Sequence, residues 1–300
     1  MMDLKGCGTA LVTPFRADGS IDEPALRALV QWQIENRMDW LVACGTTAET
    51  PTLEEEEWLR VIRIVAEAAT GRVPVWAGCT HNSTRETVRK AQAAAQIHGV
   101  THILVANPYY NKPGQEGQYQ HFKAVADAVH LPVVLYNIPG RTAANLEPAT
   151  VLRLIQNSAN IVGIKESSGN LPQITDLITQ VPQGFHVYSG DDNMVLGVLG
   201  VGGSGVVSVA SNEIPAEMAQ LVRAALTGDW ETARQLNRRY YRLMQANFWE
   251  TNPAPVKAIL AMMGRIEEHC RLPIVPVSSA TRTRLEKVAS EVGLLVKTLS

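Results

Sequence analysis

Cysteine is scarce in this chain. Its 300 residues hold four, Cys7, Cys44, Cys79 and Cys270, with no CxxC pair among them. So few in so long a chain exclude a disulfide framework, and small buried thiols in a reducing compartment are expected instead. The seven histidines are scattered, and no zinc site is expected of them. Neither sign of charge dominates: 27 Lys and Arg against 29 Asp and Glu leave a formal net charge of −2. That excludes a basic nucleic-acid surface and an acidic tail. The uncharged stretch around 195–210 (VLGVLGVGGSGVVSVA) is rich in glycine and too short to cross a bilayer. The opening MMDLKGCGTALV lacks the charged region and apolar run of a signal peptide. These absences predict a cytoplasmic protein that uses no metal and no cofactor and has neither a membrane nor a nucleic acid as partner.

What is present is a regular alternation. Eight short apolar runs recur: 7–11, 41–43, 73–77, 102–105, 133–136, 161–164, 185–188 and 205–209. Each is apolar on both faces, as parallel strands covered by helices must be. Helical patterns separate them. Trp58, Val61, Ile62, Val65 and Ala69 share one face, with Thr52 and Glu55 spaced as a capping box before them. Tyr119, Phe122, Val125, Ala126 and Val129 share another. Asp22 and Pro24 open an earlier helix that buries Leu26, Leu29, Val30 and Ile34, and Gly99 is placed to stop the third. Eight β-then-α units predict an α/β fold, a (β/α)8 TIM barrel spanning 1–225. A doubly wound sheet is the alternative, but no GxGxxG follows the first strand. Beyond it, 229–247, 253–264 and 279–296 read as helices, an appended C-terminal helical region over 226–300.

In such barrels reacting groups sit at the C-terminal strand ends. Those ends read GTTAET (45–50), NPYYNKP (107–113), YNIPGRT (136–142), GIKESSGN (163–170) and YSGDD (188–192). Lys165 directly follows the apolar IVGI. An ordinary lysine at neutral pH is uncharged about once in 2,500, a handicap of about 4.6 kcal/mol that desolvation reduces. A neutral amine there is a Schiff-base nucleophile; the plain alternative is a lysine paired with Glu166. Tyr136 offers a phenol for the proton transfers that imine chemistry needs, with Thr46 and Thr47 as its nearest hydroxyl partners. Arg141, the only arginine in these loops, suits a carboxylate, whose two oxygens match its planar fork. Asp191 and Asp192 read as helix caps rather than Mg²⁺ ligands, and GVGGSG (200–205) as a tight connection rather than a phosphate cradle.

Taken in order, GTALVTPF, GTTAET, NPYYNKPGQEGQYQHF, YNIPGRT, GIKESSGN, YSGDD, NPAPVK and RLPIVP span nearly the whole chain. The set resembles the 4-hydroxy-tetrahydrodipicolinate synthase (dihydrodipicolinate synthase) family of the N-acetylneuraminate lyase superfamily. The Arg of YNIPGRT points to the synthases rather than the sialate lyases. The resemblance implies condensation of pyruvate with L-aspartate 4-semialdehyde in lysine (diaminopimelate) biosynthesis, by a homotetramer built as a dimer of dimers. It implies Lys165 as the Schiff-base lysine and Tyr136, Thr46 and Tyr110 as a proton relay, Tyr110 reaching into a neighbouring subunit. Thr47 would hold the pyruvate carboxylate, Arg141 the semialdehyde's carboxylate, and Gly190 and Val207 would line the pyruvate pocket. A lysine effector would meet Thr50, Pro51, Glu55, Trp58, Asn82, Glu86 and Tyr109. Two departures stand out: Ala48 replaces a glycine common in the family, and Glu55 and Trp58 replace histidines of some inhibited members. Weak lysine inhibition is therefore expected. The rival readings are a pyruvate aldolase acting on another aldehyde or sugar acid, a phosphosugar isomerase, and a non-catalytic barrel that binds small acids.

Overall fold

The computed structural model describes residues 4–295. Its centre is a closed barrel of eight parallel strands in sequential order, β1 to β8. These are Gly6–Ala10, Trp40–Ala43, Val75–Gly78, Val100–Ala106, Val133–Asn137, Ile161–Glu166, His186–Ser189 and Gly205–Ser208. All eight expected runs are strands, with ends displaced by a few residues.

Helices α1 to α4 cover the first half: Glu23–Glu35, Glu55–Ala69, Thr84–Ala95 and Gln115–Ala128. Asp22 caps α1, accepting from Ala25 N at 3.2 Å; Gln33 is buried there, whereas Ile34 is only partly so. The capping box of α2 lies two residues later than expected, between Glu54 and Glu57. Thr52 is instead the last residue of a 3-10 turn, so the helix cannot start there. Helix α3 ends at Ala95, and Gly99 (φ +93°) turns the chain into β4 rather than capping the helix. Helices α5 to α9 follow: Pro139–Thr142, Pro148–Asn157, Leu171–Gln180, Val195–Gly200 and Pro215–Leu226. Beyond them lie α10 (Trp230–Ala246), α11 (Ala254–Met262) and α12 (Ser279–Glu291); the expected end at 296 falls outside the described residues. No helix among the described residues is long and apolar enough to cross a membrane.

The barrel has two main cores, and a third, smaller one joins Val12, Leu29 and Val209 to Val256 and Leu260 of α11. The larger packs the outward strand faces against the helices. The inner one fills the barrel itself, where Trp40 and Trp76 stack at 4.9 Å with an interplanar angle of 10° and Tyr188 meets both edge-on. Such contacts each add about 0.5–1.5 kcal/mol beyond area burial. The Tyr188 hydroxyl donates to Leu4 O at 2.9 Å, which closes the barrel towards the N-terminal strand ends. The opposite end stays open.

All four cysteines are buried and unpaired. The GVGGSG turn enters β8 from its N-terminal end, where Gly203 is packed against Val198, so it faces away from the open end.

Candidate active site

The loop after β2 is shaped by two left-handed residues, Cys44 and Glu49, both at φ 55°. Cys44 turns this way because Gly78 on β3 has no side chain: a Cβ there would lie 2.0 Å from Cys44 O. Between them Thr46–Ala48 forms one 3-10 turn. Thr13 Oγ1 donates to Ala48 O at 2.9 Å and Thr50 Oγ1 to Gly45 O at 2.8 Å, which pins the turn across the barrel mouth. Ala48 sits in the turn without positive φ, so the methyl that replaces glycine causes no backbone strain.

Lys165 and Tyr136 are directly paired residues on β6 and β5. Both point inward, 5 % and 6 % exposed, and Lys165 Nζ lies 4.1 Å from the Tyr136 ring centre. Glu166 points the other way. It accepts from Asn137 Nδ2 (2.6 Å), Ser168 N (3.0 Å), Ser168 Oγ (2.6 Å) and Gln173 Nε2 (3.3 Å). The lysine–Glu166 pair that would make Lys165 merely structural is therefore not formed. Gly190 abuts the lysine, since a Cβ there would lie 2.9 Å from Lys165 Cε. Burial pushes the Asp191 carboxyl up to about 6, against the pull of Lys165. Asp192 does not act as a helix cap: its Oδ2 accepts from Val209 N and Ala210 N, tying the β7 loop to the β8 loop. The reason is burial, which leaves it the donors of the β8 loop: those two amides and the Ser208 hydroxyl.

A cavity of about 490 Å³ opens over this pair. Lys165, Tyr136, Thr46 and Arg141 line its depth and rim, and Thr50, Pro51, Glu55, Glu86 and Tyr109 line its outer part. Val207 is buried in the inner core that also holds Tyr136, and Thr47 is buried within the 3-10 turn. Tyr110 stands apart, 87 % exposed at φ 74°. Trp58 and Asn82 do not line the cavity. The Trp58 indole is in the core, donating to Gly78 O at 3.1 Å, and Asn82 O accepts from Asn111 Nδ2. Arg89, unremarked in the sequence, forms ion pairs with both Glu55 and Glu86 in the outer part. Its hydrogen bond holds the Glu86 carboxyl below the usual range.

Sequence reasoning also gave no role to the C-terminal region at this mouth. Asn252 Nδ2 donates to Thr47 Oγ1 at 3.1 Å, and Asn252 O accepts from Arg141 Nη2 at 3.4 Å. Lys257 is fully buried in an ion pair with Glu49 and donates to His269 O, so its amine is occupied. The NPAPVK motif was the available signal. His98 and His102 stand four apart, yet His98 is exposed before β4 and His102 is buried within it. Among the described residues no three His, Cys, Asp or Glu side chains gather as a metal-ligand set.

The profile of the Dihydrodipicolinate synthetase family matches residues 3–292. The 4-hydroxy-tetrahydrodipicolinate synthase of Acidobacterium capsulatum is 72 % identical over 99 % of this chain and 98 % of its own length. The chloride-inhibited dihydrodipicolinate synthase of Acinetobacter baumannii, solved with pyruvate, superposes with a TM-score of 0.95 at 40 % identity, covering 97 % of this chain and all of that one. The enzyme of Cyanidioschyzon merolae, solved with lysine bound, gives 0.95 at 37 % identity over 98 % of this chain and all of its own.

Proposed function

The chain belongs to the Dihydrodipicolinate synthetase family, and from that premise we propose how the residues of the mouth divide the reaction. That reaction is the condensation of pyruvate with L-aspartate 4-semialdehyde to 4-hydroxy-tetrahydrodipicolinate, a lyase-class step of lysine biosynthesis. In this reading Lys165 attacks the ketone carbon of pyruvate, water leaves, and an imine forms. Loss of a methyl proton gives the enamine, whose carbon attacks the aldehyde. The substrate's own amine then attacks the imine carbon, closes the ring and releases Lys165. Tyr136 passes the protons, together with Thr46 and with Tyr110 supplied by a neighbouring subunit. Thr47 holds the pyruvate carboxylate, Gly190 and Val207 bound its pocket, and Arg141 receives the semialdehyde's carboxylate at the rim.

The observation that carries this reading is the buried Lys165 amine over Tyr136, with Glu166 engaged elsewhere. The exposure of Tyr110 supports a homotetramer, a dimer of dimers in which that ring is covered. Four buried thiols suit the cytoplasm. Residues 1–225 act as the catalytic barrel, and 226–300 buttress it.

The division of substrates is tested with Arg141→Ala. It should still form the pyruvate imine while turnover falls about a hundredfold or more, because the aldehyde is no longer positioned. Loss of imine formation in that variant would refute the division. Turnover of another aldehyde in place of aspartate semialdehyde would refute the substrate.

A further inference from the structure

We propose that Asn252 is a positioning residue for both substrates: its side-chain amide sets the Thr47 hydroxyl as a donor, and its backbone carbonyl steadies Arg141. The proposal rests on the reading that Thr47 and Arg141 receive the two substrate carboxylates. Asn252 lies 205 residues beyond Thr47 and 111 beyond Arg141, and it is the C-terminal region's contact with both.

A threonine hydroxyl has one hydrogen and two lone pairs. Asn252 Nδ2 donates to Thr47 Oγ1 at 3.1 Å, so the Thr47 hydrogen must be directed elsewhere. A carboxylate only accepts, and it therefore binds this hydroxyl only when the hydroxyl donates. The other half of the amide supports the same polarity. Asn252 Oδ1 is buried and has no hydrogen-bond partner, so the donating nitrogen is the half in use. An unpaired buried acceptor is a cost, and it falls here on a side chain that is 4 % exposed.

The segment is built to hold this geometry. Ala254 N donates to Thr251 O at 2.9 Å and Lys257 N to Pro253 O at 3.0 Å, which fixes the backbone on either side of Asn252. The buried Lys257–Glu49 ion pair then clamps the start of α11 to the loop that carries Thr47, two residues from it. Arg141 is exposed on the rim, and its contact with Asn252 O restrains it towards the mouth.

The test uses full-length Thr47→Ala, Asn252→Asp, Asn252→Ala and the double variant Thr47→Ala/Asn252→Asp. KM for each substrate, kcat and Tm are read, with the pyruvate concentration that half-saturates borohydride trapping. Aspartate accepts but does not donate, so it takes the Thr47 hydrogen for itself. Thr47→Ala and Asn252→Asp should each raise the pyruvate KM about ten- to a hundredfold, the worth of one hydrogen bond to a charged group. Half-saturation of trapping should shift by the same factor. Asn252→Ala, which keeps the carbonyl, should raise the pyruvate KM and leave the aldehyde KM near wild type. The double variant should be no worse than Thr47→Ala. If Thr47→Ala raises the pyruvate KM but neither Asn252 variant does, whatever their Tm, the proposal is overturned and the underlying reading stands. Additive effects in the double variant overturn it as well. A Thr47→Ala enzyme with unchanged pyruvate KM would instead overturn the underlying reading.

Discussion

One methyl group at Gly190 tests whether packing holds Lys165 in place. A Cβ there would lie 1.9 Å from Ser167 Oγ, 2.9 Å from Lys165 Cε and 3.1 Å from Lys165 Cγ. Carbon atoms settle at about 3.5–4.0 Å, so the lysine stem must retreat by about 0.6–1 Å. Ser167 is the lesser obstacle, because its hydroxyl ends a short side chain that can rotate about χ1 away from the methyl. A misplacement near 1 Å costs about a hundredfold in rate. Overpacking costs about 1–3 kcal/mol, a few degrees of Tm for a chain of this size, so the variant folds. Gly190→Ala should therefore lose about a hundredfold in kcat with pyruvate saturating, and Tm should fall only slightly. Adding Ser167→Ala removes the first contact and leaves the lysine contacts, so the loss should persist. Wild-type kcat in Gly190→Ala, or full recovery in the pair, would show that packing at Gly190 does not hold Lys165 in place.

Further outcomes follow from charge. Glu213 is buried, accepts from Asn247 Nδ2 at 3.1 Å, and has its second oxygen unpartnered, as is Asn247 Oδ1. Burial pushes its carboxyl well above 4.5, so the folded protein holds this proton more tightly than the unfolded chain does. Stability from Glu213 is then full below 4.5 and is lost as pH rises towards the folded value. Urea unfolding across neutral to alkaline pH should show a shallower decline in Glu213→Gln than in wild type, and an equal slope would refute a protonated Glu213. For regulation, Arg89 already neutralises Glu55 and Glu86, the carboxylates that a lysine ammonium would seek. Free lysine should inhibit weakly at subsaturating pyruvate, and Arg89→Ala should strengthen the effect. Potent inhibition of the wild type would show that the pairing does not block the effector.

The barrel was legible because parallel strands buried on both faces leave unmistakable apolar runs, such as Val133–Leu135. Strand ends were less so. Strand β6 continues through Lys165 and Glu166, two charged residues that look like a loop yet complete the ladder with β7. The α2 box slipped to Glu54 and Glu57 because Thr50–Thr52 forms its own turn. That Lys165 and Tyr136 lie side by side at the mouth was readable because strand order alone makes them neighbours. Asn252 was not, since its approach to Thr47 depends on how α10 and α11 dock, and no local pattern encodes that. The surroundings of Trp58 were equally hidden: a helical face shows that it is turned inwards, not that Gly78 O receives its indole.

Catalysis by this route requires that pyruvate become covalently attached to Lys165. Incubation with pyruvate and borohydride, followed by intact mass and peptide mapping, tests it directly. One reduced adduct per chain should form on Lys165, and Lys165→Ala should abolish it along with most of the turnover. Lys112 is exposed on its loop, and Lys257 is committed to Glu49. An adduct on either of these, or none at all, would contradict the account.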